Sequence, residues 1–143
     1  MYNSGLLKFR KIGSPSKPEW GFLTPIESMQ EIPFDVKRIY YIYGVDENEV
    51  RGKHSHKSLH QVLICVHGKV DVRLENFYGN ETYTLNDPSV GLYVGPDNWR
   101  EMSNFQNDAV LLVLASEKYD PNDYIRDYDE FIEHNQKRYE VKK

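Results

Sequence analysis

Four of the chain's five histidines fall in one stretch, "RGKHSHKSLHQVLICVHG", Arg51 to Gly68. His54 and His56 are separated by a single residue. On a strand, residues i and i+2 share a face, so the two imidazoles are predicted to stand side by side. Such a pair has two uses. With further ligands it holds a divalent metal. In an enclosed pocket, neutral imidazoles take and give protons near neutral pH, which suits moving a proton between adjacent carbons beside a carbonyl. Gly52, just before the pair, lets the backbone bend or pass closely. His60 and His67 read as surface or turn residues, and Cys65, inside "VLICV", as a core residue.

The elements that must hold this pair read as short strands. "FDVKRIYYIYGV" (34–45) is rich in Tyr, Ile and Val and stops near Gly44. "HQVLICVHGKVDVRLENFYGNETYTL" reads as two or three strands with turns at "HGK" and "YGN". Within it Val70, Val72 and Leu74 alternate with Asp71, Arg73 and Glu75, giving one buried and one wet face. "VGLYVGP" (90–96) is a strand stopped by Gly-Pro, and "DAVLLVLAS" (108–116) has the length and apolarity of a fully buried strand. Many short strands at close spacing predict a sandwich or closed barrel. The tail is different. Asp120 before Pro121 reads as a helix start, and Tyr124, Tyr128, Phe131 and Ile132 share one helical face. One or two helices are expected to dock outside the sheet. No second domain, repeat or low-complexity segment is visible, so residues 1–143 are read as one domain.

Composition narrows the partners. A net charge of −4 and a pI of about 5.7 argue against nucleic acid or an anionic membrane as the partner. No stretch approaches the ~20 apolar residues of a membrane span, and the N-terminal residues carry no signal-peptide pattern. One cysteine allows no internal disulfide, which fits a cytoplasmic location.

The histidine stretch resembles the first motif of the cupin superfamily: His54-x-His56, four residues, Gln61, six residues, Gly68. Metal-binding cupins have Glu at the position of Gln61 and a further His after a Gly…Pro turn. Here Gln61 is a neutral, poorer ligand, and "GLYVGPDNWREM" (91–102) has no histidine. Arg100 adds a fixed positive charge that repels a cation. No metal or other cofactor is expected.

A wider resemblance covers residues 20–132. "PFDVKRIYYIYGV", "RGKHSHKSLHQVLICVHGKVDV", "VGLYVGPDNWREM" and "LASEKYDPNDYIRDYDEF" together resemble the sugar 3,4-ketoisomerases that act on dTDP-4-keto-6-deoxyglucose. The resemblance implies an all-β, cupin-type (RmlC-like) jelly-roll β-barrel with a short C-terminal helical tail. It implies a metal-independent isomerase on the route to 3-amino-3,6-dideoxy sugars and a homodimer with exchanged N-terminal strands. The paired histidines of the family match His54 and His56, and its active-site tyrosine matches Tyr40. From periodicity alone Tyr40 would be a strand aromatic with a wet tip. His54 is expected to take the C3 proton, with His56 and Tyr40 as relay and oxygen donor; Arg100 is given no catalytic role. Arg38 and Arg51 flank the site strands, either to bind diphosphate in a fork or as solvated strand-end charges. Tyr93 and Trp99 are candidates to stack thymine, and Trp99 could equally pack in the core or a dimer interface. Gln61 and Met102 are also expected against substrate. The alternatives are a 3,5-epimerase, a metal-dependent cupin and a non-catalytic sugar-binding cupin.

Overall fold

The computed structural model describes residues 3–140. In chain order the strands are β1 (Ser4–Lys8), β2 (Ile12–Gly13), β3 (Phe22–Leu23), β4 (Arg38–Ile42), β5 (Arg51–His56), β6 (Gln61–Asn76), β7 (Gly79–Leu85), β8 (Val90–Val94), β9 (Trp99–Ala115) and β10 (Tyr124–Ile125). One helix follows, α1 (Tyr128–Tyr139). Eight strands form one antiparallel sheet in the order β1-β8-β6-β9-β5-β10, with β4 added to β9 and β7 to β6. β2 and β3 form a separate small hairpin.

Two long strands carry the fold. β6 and β9 pair along nearly their whole length, while β4 takes the far end of β9 and β5 its near end. The alternation read from the sequence holds: Val70, Val72 and Leu74 are fully buried, in a core shared with Leu63, Leu92, Leu111 and Val113. Each such side chain contributes about 1.5–3 kcal/mol of hydrophobic burial. This large sheet with one short C-terminal helix agrees with the cupin-type barrel expected.

Three local expectations are corrected. "HGK" is not a turn; β6 runs through it, with shifts of register from Cys65 to Asp71. Gly68 sits there at φ +74°, and a Cβ on it would lie 2.4 Å from the Gln106 carbonyl oxygen, so the two backbones cross too closely for any side chain. The first strand is shorter than 34–45, spanning Arg38–Ile42, because Phe34 leaves the sheet to fill a second apolar cluster with Phe9 and Ile32. Tyr124 is not helical. Asp120 caps only one 3-10 turn, Pro121–Asp123; Tyr124 and Ile125 then pair with His56 and Ser55, and Asp127 caps the helix, accepting from Glu130 N–H at 3.0 Å. Phe131 is the helix's buried anchor, packed on Trp99 and Ile125.

Candidate active site

The site begins with a distortion of β5. Gly52 has φ +91°, and a Cβ there would stand 2.9 Å from the Arg100 carbonyl oxygen on β9. The register shifts between Gly52 and His54, which places His54 opposite Arg100. His54 Nδ1 lies 3.0 Å from the Gly52 carbonyl oxygen. A carbonyl only accepts, so Nδ1 carries the hydrogen and Nε2 keeps a free lone pair. The His56 ring stands edge-on to His54, with centroids 4.9 Å apart. The shared face read from the sequence is present.

Arg100 is buried to 1% exposure. Its Nη1 donates to Gln61 Oε1, and its Nη2 to the Asn98 carbonyl at 3.3 Å. Its Nε finds no partner, and among the described residues no carboxylate pairs with it. Gln61 in turn donates Nε2–H to Tyr40 Oη at 3.0 Å. The tyrosine therefore accepts from behind and retains its own O–H to donate.

This buried cation sets the protonation states. Burial lowers the Arg100 pKa only to about 10, so it stays charged at neutral pH. Burial, then the Arg100 charge, lowers His54 to about 3. The same causes, in the same order, hold His56 far below the usual histidine range. Both imidazoles are neutral at physiological pH. Tyr40 is raised, by burial above all, and remains a phenol.

A cavity of about 540 Å³ opens on this cluster, lined among others by Arg38, Tyr40, Arg51, His54 and Met102. Among the lining residues that the sequence reading does not assign to the site are Tyr119, Tyr124 and Arg126. Tyr124 packs on both imidazoles, with centroids 4.9 Å from His54 and 4.3 Å from His56. Arg126 lies 4.2 Å over the Tyr124 ring, and Arg38 lies 5.0 Å over Tyr40. Asp123 was also missed. Its carboxylate holds the Ser58–Leu59 backbone and reaches to 3.3 Å from His56 Nδ1, without a hydrogen-bonding angle. A second cavity of about 630 Å³ shares Arg38, Tyr119 and Tyr124 with the first and borders His56 and Lys37.

Three expected contacts lie elsewhere. Gln61 is 1% exposed and faces Tyr40 and Arg100 rather than the cavity. Trp99 is buried between Tyr128 and Phe131, where it anchors the helix. Tyr93 bonds to His60 Nδ1 at 2.7 Å, away from the imidazole pair. Cys65 is buried and free, as expected of a core residue. Among the described residues no three His, Cys, Asp or Glu side chains converge as metal ligands, and no helix is long and apolar enough to cross a membrane.

Residues 2–136 match the family described as "FdtA: WxcM-like, C-terminal". A TDP-4-oxo-6-deoxy-alpha-D-glucose-3,4-oxoisomerase from Aneurinibacillus thermoaerophilus is 50% identical over 111 residues, 78% of this chain and 80% of the relative. A mutant of the 3,4-ketoisomerase QdtA from Thermoanaerobacterium thermosaccharolyticum, solved with TDP-4-keto-6-deoxyglucose, is 52% identical. It superposes with a TM-score of 0.92, covering 99% of both chains. The WlaRB TDP-quinovose 3,4-ketoisomerase of Campylobacter jejuni is 45% identical, with a TM-score of 0.86 over 93% of this chain and 99% of the other.

Proposed function

This chain belongs to the FdtA/WxcM-like family of sugar 3,4-ketoisomerases, and from that premise we propose how its residues divide the reaction. The enzyme moves the ketone of TDP-4-keto-6-deoxyglucose from C4 to C3. His54 Nε2 removes the C3 proton, made acidic by the C4 ketone. The C–H electron pair becomes a C3–C4 double bond, and the C4 oxygen takes the negative charge. Proton exchange between the C3 and C4 oxygens gives the isomeric enediolate, with Tyr40 and His56 as relay. Protonation at C4 then leaves the carbonyl at C3, so atoms and electrons balance without an added oxidant.

The observation that carries this assignment is the His54–Gly52 hydrogen bond, which leaves Nε2 unprotonated. Burial first and the Arg100 charge second keep the resting imidazole neutral, so that Nε2 is free to accept the proton. Arg100 does more than the sequence reading allowed: a fixed cation in a buried site also stabilises the developing oxyanion. Gln61 transmits its position to the Tyr40 hydroxyl. Arg38, Arg51 and Arg126 border the cavity and supply cations for the diphosphate. Each well-placed acid or base contributes typically ~10²–10⁴-fold.

A homodimer is part of the same reading. Trp20, Phe22 and Leu23 are 74%, 71% and 60% exposed around the β2–β3 hairpin, an apolar surface that a second copy would cover. The exchange of N-terminal strands would carry β1, which pairs here with β8 of its own chain, onto the partner. A buried, unpaired Cys65 suits the cytoplasm. The test of function is to incubate purified enzyme with TDP-4-keto-6-deoxyglucose and identify the sugar by NMR. A TDP-3-keto-6-deoxyhexose is expected. Inversion at C5 with the ketone still at C4 would mark an epimerase and overturn the reading.

A further inference from the structure

One turn holds two parts of the site from behind. Residues 95–98 link β8 to β9. Asp97 in this turn is 2% exposed and has φ +67°, a left-handed conformation that few non-glycine residues adopt. Its N–H donates to the His56 carbonyl at 2.8 Å. The next carbonyl, that of Asn98, accepts from Arg100 Nη2 at 3.3 Å. The turn therefore fixes the main chain of one imidazole and the guanidinium that governs both.

The last turns of α1 grip the same residue. His134 Nε2 lies 2.9 Å from Asp97 Oδ1, Arg138 Nε 3.3 Å from Oδ2, and Tyr139 Oη donates to Oδ2. Asn135 Nδ2 donates to the Asp97 carbonyl at 3.0 Å. Docking alone does not need this. Phe131, packed on Trp99 and Ile125, already anchors the helix. Burying a carboxylate costs several kcal/mol before its partners offset it, and an apolar contact would dock the helix as well. A polar cluster aimed at one carboxylate gives direction instead.

We propose that α1 latches the reaction geometry, with Asp97 as the positioning residue that ties the helix to His56 and Arg100. The inference rests on the ketoisomerase reading above. The diphosphate-binding arginines lie outside the 95–98 turn and α1, with Arg51 at the opposite end of β5 from His56, so loosening the turn disturbs chemistry more than binding. Misplacement by about 1 Å costs up to about 10²-fold in rate.

The test uses the full chain. Asp97→Asn keeps the side-chain size and tolerates the left-handed backbone, but loses the charge. His134→Ala with Arg138→Ala leaves Asp97 and the cavity intact, and decides the matter if the first variant does not fold. For each, kcat and KM on TDP-4-keto-6-deoxyglucose are measured beside hydrogen exchange of the amide at position 97. The expected result is a fall in kcat of about 10-fold to 10²-fold, with KM within about threefold. The amide should exchange about tenfold faster. A faster amide with unchanged kcat, or a loss confined to KM, would overturn the proposal. A wild type that fails to turn over the sugar would sink the functional reading instead, and an amide whose exchange ignores both variants would still refute the latch.

Discussion

Replacing Arg100 by Met tests the electrostatic core of the site. Arg100 is paired with His54 across β5 and β9, and Cβ atoms so paired stand about 5 Å apart, which sets the scale for the separation of the two charges. At an effective dielectric of about 20, two unit charges at that distance interact by about 3 kcal/mol. This corresponds to about two pH units. His54 is held at about 3 by burial first and Arg100 second. Removing the charge should therefore raise it to about 5 and no further, because burial still disfavours the imidazolium. The assay is the pH dependence of kcat/KM, which reports groups of the free enzyme. The wild type should show no histidine-like inflection between pH 5 and 8. Arg100→Met should gain an acid limb near pH 5, and Arg100→Lys, which keeps the charge, should not. An Arg100→Met profile as flat as that of the wild type would refute the assignment of His54 as base under the control of this guanidinium.

Further expectations concern the same residues and their supports. His54→Gln should cut turnover by about 10²–10⁴-fold while the protein still binds TDP, measured by steady-state kinetics and calorimetry. Because the folded-state pKa of His54 lies below its unfolded value of 6.5, the unfolded chain binds the extra proton and stability drains as pH falls from 6.5 toward 3. His54→Gln should consequently lose about 2 kcal/mol less than the wild type between pH 7 and 4.5, read by urea unfolding. Gly52→Ala should cost about 1–3 kcal/mol, since the added Cβ meets the Arg100 carbonyl at a strained φ. Phe131→Ala should cost about 3–5 kcal/mol in the same assay by emptying the space against Trp99.

The histidine pair was legible because strand geometry is local: i and i+2 share a face whatever the fold around them. The alternation at Val70, Val72 and Leu74 was legible for the same reason. Arg100 was not. In the sequence it is a charge that discourages a metal; its burial beside His54 follows from the register of β9 on β5, which no local pattern records. Tyr124 misled for a related reason. Its spacing to Tyr128 and Phe131 fits a helix, but the edge of β5 claims Tyr124 and Ile125 as strand partners and turns the ring onto the imidazoles. Asp123 and Arg126 were lost with it. Gly68 reads as a turn when only its neighbours are considered, and becomes a bulge once β9 runs beside it. The sequence leaves Trp99 between stacking and packing, and its burial against Phe131 of α1 places it in packing.

The central claim is that the proton at C3 is removed within this site. The most direct measurement follows TDP-4-keto-6-deoxyglucose by proton NMR as the enzyme works in deuterated water. Deuterium is expected at C3 of recovered substrate or at C4 of the 3-keto product, and is lost in His54→Gln. Deuterium at C5, or conversion undiminished in that variant, would contradict the claim.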